Sequence, residues 1–97
     1  MIQREGERMI VSGPVTLANV AHVLEEGYAQ IRAGAGSVDL AGVTELDSSL
    51  LALLLAWLRE AVRLGRGLEF NHLPDGLTTI ARLYGVAEFL PSAQIHH

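Results

Sequence analysis

Asp47, Ser48 and Ser49 stand side by side in the middle of the chain, between a short β-type run and a leucine-dense stretch. A carboxylate and two hydroxyls at a helix start sit where unbonded backbone N–H groups collect anions. Asp and Ser are equally ordinary helix caps. A phosphoryl group on Ser48 would bring about −1.5 to −2 charges to the positive end of that helix, against the repulsion of Asp47. A hydrolytic alternative would need a histidine beside Asp47 and Ser48. The chain has four. His22 falls on the outer face of the first helical segment, His72 ends a strand, and His96 and His97 close the tail. They lack the HxH or HxxxH spacing of a metal site on one helix. The residues therefore point to a switch or adaptor, with no catalysis, cofactor or metal.

The segment after Asp47 must present those groups. Helix two is expected from Ser48 to Leu64, stopped by Gly65 and Gly67, with Arg63 and Arg66 at the negative end of its dipole. At about 100° per residue, Leu50, Leu51, Leu53, Leu54, Trp57, Leu58, Ala61, Val62 and Leu64 form one broad core face. The other half carries Ser48, Ser49, Ala52, Ala56, Arg59, Glu60, Arg63 and Arg66. Ala52 and Ala56 leave the surface flat beside Ser48, so a second protein can approach there. Arg59 and Arg63 lie further along, where they can meet a partner's acids. The expected partner-binding patch is Asp47, Ser48, Ser49, Ala52, Ala56, Arg59 and Arg63.

The remaining elements support this one. Arg8 to Ser12 reads as a strand, paired with residues near the start and broken by Gly13-Pro14. Thr16 is the expected N-cap of a helix from Leu17 to Arg32, with Leu17, Val20, Ala21, Leu24, Tyr28 and Ile31 inward. Gly34-Ala35-Gly36 is a loop, and no helix follows it directly, so it is a poor phosphate cradle. Ser37 to Ala41 and Leu68 to Asn71 read as strands. Pro74 suits the first turn of a third helix, with Leu77, Ile80, Ala81 and Tyr84 inward and Gly85 as its stop. Val86 to Leu90 reads as a last short strand or turn. The order β-α-β-α-β-α implies an α/β domain with a small mixed, largely parallel sheet. Partner sites in such sheets gather at the carboxyl ends of strands, where Asp47 to Ser49 falls.

Composition sets the bounds. The 97 residues fit a single domain, 1–97, with a tail expected to fray from about 92 to 97. Cysteine is absent, which excludes disulfides and thiolate metal sites. Seven arginines face 11 acids for a net charge of −4, and no basic cluster exists, so no nucleic-acid role is expected. The N-terminus MIQREGERM has charges where a signal peptide needs its apolar core. The longest apolar run, Leu50 to Leu58, falls short of the ~20 residues of a membrane span. A soluble cytoplasmic protein is expected, reaching the membrane only through a partner. A homodimer through an edge strand stays open.

The segment VDLAGVTELDSSLLALLLAWL resembles the central motif of STAS domains, the family of anti-sigma-factor antagonists and related adaptors. Their pattern is a strand, then Asp-Ser/Thr-small-Gly-Leu, then a helix. LTTIARLYGVAEFLP and the LALLL run are similar to the MlaB-like branch, the small STAS subunits of bacterial phospholipid-transport ABC complexes. The resemblance covers Val38 to Pro91, while the first 35 residues match only in layout. It implies a compact STAS-like α/β domain without catalysis of its own. In the MlaB-like branch it implies a cytoplasmic adaptor bound to the ABC-transporter ATPase subunit, at the inner membrane through that complex, serving outer-membrane lipid asymmetry. The family's key hydroxyl falls on Ser48 and its acid on Asp47. The alternative it implies is an anti-sigma-factor antagonist whose Ser48 is phosphorylated by an anti-sigma-factor kinase. The family's usual glycine is Leu50 here. The helical wheel turns Leu50 inward, which leaves the docking surface intact and weakens a kinase approach that depends on that glycine.

Overall fold

The computed structural model describes residues 1–89. Strand β1 (Ile2–Glu5) turns at Gly6, whose φ of +62° suits a residue without a Cβ, and returns antiparallel as β2 (Arg8–Val15). Next come α1 (Val20–Arg32), β3 (Ser37–Leu46), α2 (Ser48–Arg63), β4 (Glu69–Asn71) and α3 (Asp75–Leu83), then a 3₁₀ turn at Ala87–Phe89. The sheet order is β1-β2-β3-β4, with β2, β3 and β4 parallel. This is the expected α/β domain with a mixed, largely parallel sheet, and β1 is the N-terminal partner of β2.

Successive right-handed crossovers between neighbouring parallel strands place α1 and α2 on the same face of the sheet. Period-two alternation sends Met9, Val11, Val38, Leu40 and Phe70 to that face, and all are buried. Val23 and Ile31 of α1, Leu50, Leu53, Leu54 and Trp57 of α2, and Leu77 of α3 complete the core. Alternation sends polar groups to the other face. There Glu5 pairs with Arg8 at 2.9 Å, Arg8 lies 3.6 Å from Asp39, and His72 Nδ1 lies 3.1 Å from Asp39 Oδ1. Burial pushes the Asp39 carboxyl up. The Ala41 N–H, His72 and Arg8 more than offset this and hold it below its usual range.

Several boundaries differ from the sequence expectation. Gly13-Pro14 does not end β2, which runs to Val15. Strand β1 stops pairing where Ile2 meets Val11, and the Met1 carbonyl takes the Ser12 N–H. Beyond that point β2 has an open side, where a residue without an N–H is tolerated. Strand β3 continues past Ala41 to Leu46. Between paired positions Ile10/Ser12 and Asp39/Gly42, and again between Gly13/Pro14 and Val43/Glu45, β3 carries one extra residue. Such bulges interrupt the alternation that marks a strand in sequence.

Helix α1 starts at Val20 behind Asn19, not at Leu17 behind Thr16. Leu17 and Ala21 are therefore exposed rather than inward. In α2 the buried arc is narrower than the apolar arc. Val62 at its edge is 65% exposed, and Leu64, the residue after the last turn, is also exposed. Tyr84 is likewise the residue after α3 and is exposed, not inward. Pro74 precedes α3 as its N-cap residue. Of the short strand or turn expected at Val86 to Leu90, the structure shows a 3₁₀ turn at Ala87–Phe89; Leu90 and the tail 92–97 lie outside the described residues.

The closest fit in the core joins the two long helices. Trp57 is fully buried, and its indole N–H donates to the Leu24 carbonyl at 3.1 Å. A Cβ built on Gly27 would overlap the Trp57 ring, so α1 crosses α2 at a residue that leaves room for the indole. Ala is favoured over Gly by about 1 kcal/mol in a helix interior. Overpacking of this kind costs about 1–3 kcal/mol or more and should outweigh that gain. Gly27→Ala is therefore expected to lower the unfolding free energy, by about 1–2 kcal/mol net. Combined with Trp57→Leu it should cost almost nothing further, because the clash is gone. Urea unfolding of the four chains checks this, and equal Gly27→Ala effects in both backgrounds would rule out the steric account.

Candidate functional site

The end of β3, the start of α2 and the segment between β2 and α1 meet at one end of the sheet. Asp47 is the N-cap of α2 in extended backbone geometry, and its Oδ1 accepts the Ser49 N–H at 2.8 Å. Its Oδ2 accepts the Leu17 N–H at 3.0 Å, across 30 positions of sequence. The Leu17 bond first, then the backbone and hydroxyl of Ser49, hold the Asp47 carboxyl below its usual pKa. Asp47 is thus committed on both oxygens, and Ser49 is half-buried beside it.

Ser48 differs from its neighbours. It is exposed, and its hydroxyl bonds to none of the described residues. Ala52 and Arg59 continue the exposed face, and Ala56 is half-buried. Leu50 is fully buried, as the wheel requires. Arg63 is exposed but already paired: it donates to Glu60 at 3.1 and 2.7 Å. Arg32 of α1 reaches the same carboxylate at 3.0 Å. Its guanidinium carbon also lies 5.1 Å from the Tyr28 ring centroid. Hydrogen bonds from Arg63 and then Arg32 lower the Glu60 pKa to about 2. Of the two arginines expected to meet a partner's acids, Arg59 is the one with no ion-pair partner among the described residues.

The two histidines among the described residues, His22 and His72, stand apart from this cluster. His72 bonds Asp39, the third residue of β3, whereas Asp47 follows its last. At ~3.3 Å per residue that separation is roughly 25 Å. His22 is exposed on α1, 3.9 Å from Glu26. Helical spacing in the sequence places Leu17 on the inner face of α1 and so misses its role here. The four residues Thr16-Leu17-Ala18-Asn19 carry two good N-caps, and this was the available signal that the helix could start later.

A family model described as "Mlab, STAS domain" matches residues 1–91. Comparison with curated proteins gives no match. Among solved structures, a Thermotoga maritima protein assigned as an anti-sigma factor antagonist superposes with a TM-score of 0.74 at 11% identity, over 95% of this chain and 83% of that one. A STAS domain protein from Planctomyces limnophilus gives 0.71 at 18% identity, over 95% and 86%. The unphosphorylated anti-sigma factor antagonist SpoIIAA gives 0.71 at 14% identity, over 98% and 88%. At these identities the structures establish the fold. Among the described residues no helix is long and apolar enough to cross a membrane.

The ion pairs set an acid limit. Glu60 has a folded pKa of about 2, below the ~4.3 of an unfolded chain. Its stabilisation is therefore complete above the unfolded value and is lost as pH falls through the folded one. Asp47, also lowered, acts in the same direction. Glu60→Gln should melt below the native chain at pH 7, with the gap closing towards pH 2. Thermal unfolding followed by circular dichroism at both pH values checks the sign; a gap that widens on acidification would contradict it.

Proposed function

Because this chain belongs to the STAS-domain family, we propose that it is a non-catalytic adaptor that docks on the ATPase subunit of a phospholipid-transport ABC complex. The docking surface is the start and exposed face of α2: Ser48, Ala52, Ala56 and Arg59, with Asp47, Ser49 and Arg63 as its frame. The observation that carries this reading is the combination at Ser48. A hydroxyl that bonds to none of the described residues projects from a fixed helix start, and alanines beside it keep the approach open. The MlaB description of the matching family model supports the choice of branch. The protein would work in the cytoplasm and meet the inner membrane only through its partner.

A second reading keeps the surface and changes the partner. An anti-sigma-factor kinase would phosphorylate Ser48, and the added charge next to Asp47 would expel whatever docks there. The fold likeness to SpoIIAA, also solved in its phosphorylated form, favours it. The buried Leu50 in the place of the family's usual glycine weighs against it.

Ser48→Arg and Ala52→Arg should each fold normally and bind the purified ABC ATPase on the order of a hundredfold more weakly, the effect of about 2.7 kcal/mol. Titration of the ATPase with each variant checks this, and native affinity in both would remove the surface from consideration. Intact mass after incubation with kinase and ATP tests the second reading. A phosphoryl group gained by the native chain and not by Ser48→Ala would support the switch.

A further inference from the structure

We propose that Leu17 is the apolar anchor of the partner interface, and that Asp47 is the positioning residue that holds it there. This rests on the reading of the Ser48 face as a docking surface and adds a second element to it. Leu17 is 78% exposed. A lone exposed leucine usually needs no explanation. This one belongs to a segment whose backbone is fully bonded. The Thr16 N–H donates to Asn19 Oδ1 at 3.0 Å, that of Leu17 to Asp47 Oδ2 at 3.0 Å, and that of Ala18 to Thr16 Oγ1 at 3.3 Å. The N–H groups of Asn19 and Val20 donate to the Thr16 carbonyl at 3.0 and 2.9 Å. The Asn19 side-chain amide donates to the Pro14 carbonyl at 2.9 Å. Every N–H from Thr16 to Val20 thus has an acceptor, and the one side chain this ordered segment offers as a large apolar group points to solvent.

Its place is set by Asp47. One oxygen bonds the first turn of α2 and the other bonds the Leu17 N–H, so the Leu17 backbone is tied to the residue that precedes Ser48, whose hydroxyl bonds to none of the described residues. A rigid apolar anchor next to a hydrogen-bonding group is the usual make-up of an interface centre, because little ordering entropy remains to be lost on binding. The occupant that fits is a folded protein with an apolar pocket for Leu17, a polar group within reach of Ser48, and a basic rim. Exposed Glu45, opposite Pro14 at the end of the β2–β3 pair, and half-buried Asp47, bonded to the Leu17 N–H, lie at the same end of the sheet as the anchor. They complement such a rim and would be repelled by an anionic bilayer.

The test is equilibrium binding to the purified ABC ATPase. Leu17→Asp should weaken binding on the order of tenfold or more, and Leu17→Met should stay within about threefold. Neither should shift the unfolding midpoint, because the side chain is exposed. Asn caps a helix as well as Asp does but offers one acceptor oxygen, so Asp47→Asn isolates the bond to Leu17. It should speed amide exchange at Leu17. It should also weaken binding about fivefold in the native background and less than about twofold beside Leu17→Ala, the signature of coupling. Native affinity in Leu17→Asp, with binding lost in Ser48→Arg, would overturn the anchor and leave the adaptor reading standing. Native affinity in both would overturn both. Equal Asp47→Asn losses in the two backgrounds would reduce Asp47 to a cap. A dimer of the native chain that Leu17→Asp dissolves, with ATPase binding unchanged, would assign Leu17 to self-association instead.

Discussion

The architecture turns on the contact between Trp57 and the gap left by Gly27. The indole is the largest side chain in the core, and it occupies the volume that a Cβ on α1 would need. Its N–H is taken by the Leu24 carbonyl, so the ring is fixed in orientation as well as place. That fixes the rotation of α2 about its own axis. With Trp57 directed at α1 and the sheet, Leu50, Leu53 and Leu54 fall on the sheet, and Ser48, Ala52 and Arg59 fall outside. A different rotation would bury the hydroxyl and expose leucines. The functional face is thus a consequence of how the opposite face packs.

Electrostatic ties reinforce the same pair of helices at the far end. Glu60 collects Arg32 from α1 and Arg63 from α2, and Arg66 reaches the Ile31 carbonyl. Exposed ion pairs contribute little each, so their role is to hold a register already set by the core. At the near end Asp47 joins α2 to the segment before α1. The three ties, Glu60, Trp57 and Asp47, run along the α1–α2 interface from the last turn of α2 to its first. The first-turn tie ends beside the exposed Leu17 side chain and the Ser48 hydroxyl, which bonds to none of the described residues, and there a partner can touch both chain segments.

How legible this was depends on the range of each interaction. Helix α2 was readable because its leucines repeat at helical spacing and its N-cap and terminal glycine are local signals. The parallel order of strands followed from alternation with helices. The second half of β3 was hidden because two bulges break the period of two. Gly27 reads in sequence as a mild helix weakness; its purpose lies in a tryptophan 30 positions later. The start of α1 was ambiguous because Thr16 and Asn19 are both capping residues. The choice between them was made by β2 running through Pro14 to Val15, a matter of where β1 ends.

Asp47 is the case in which a correct local reading gave an incomplete role. Its type and position identify an N-cap, and it is one. A carboxylate has two oxygens, however, and a cap uses only one of them. The second must be bonded by water or by a distant group, and sequence cannot choose. Here the distant group is the amide of Leu17. That bond turns a cap into a joint between two chain segments and moves the acid from the contact surface into its support. Of the residues grouped by the sequence around this helix start, Ser48 is exposed with a hydroxyl that bonds to none of the described residues, while Asp47, bonded to Ser49 and Leu17, determines where the two segments stand. The exposed and the supporting groups therefore answer to different chemistry: the first to the shape and polarity of a partner, the second to the geometry of this fold.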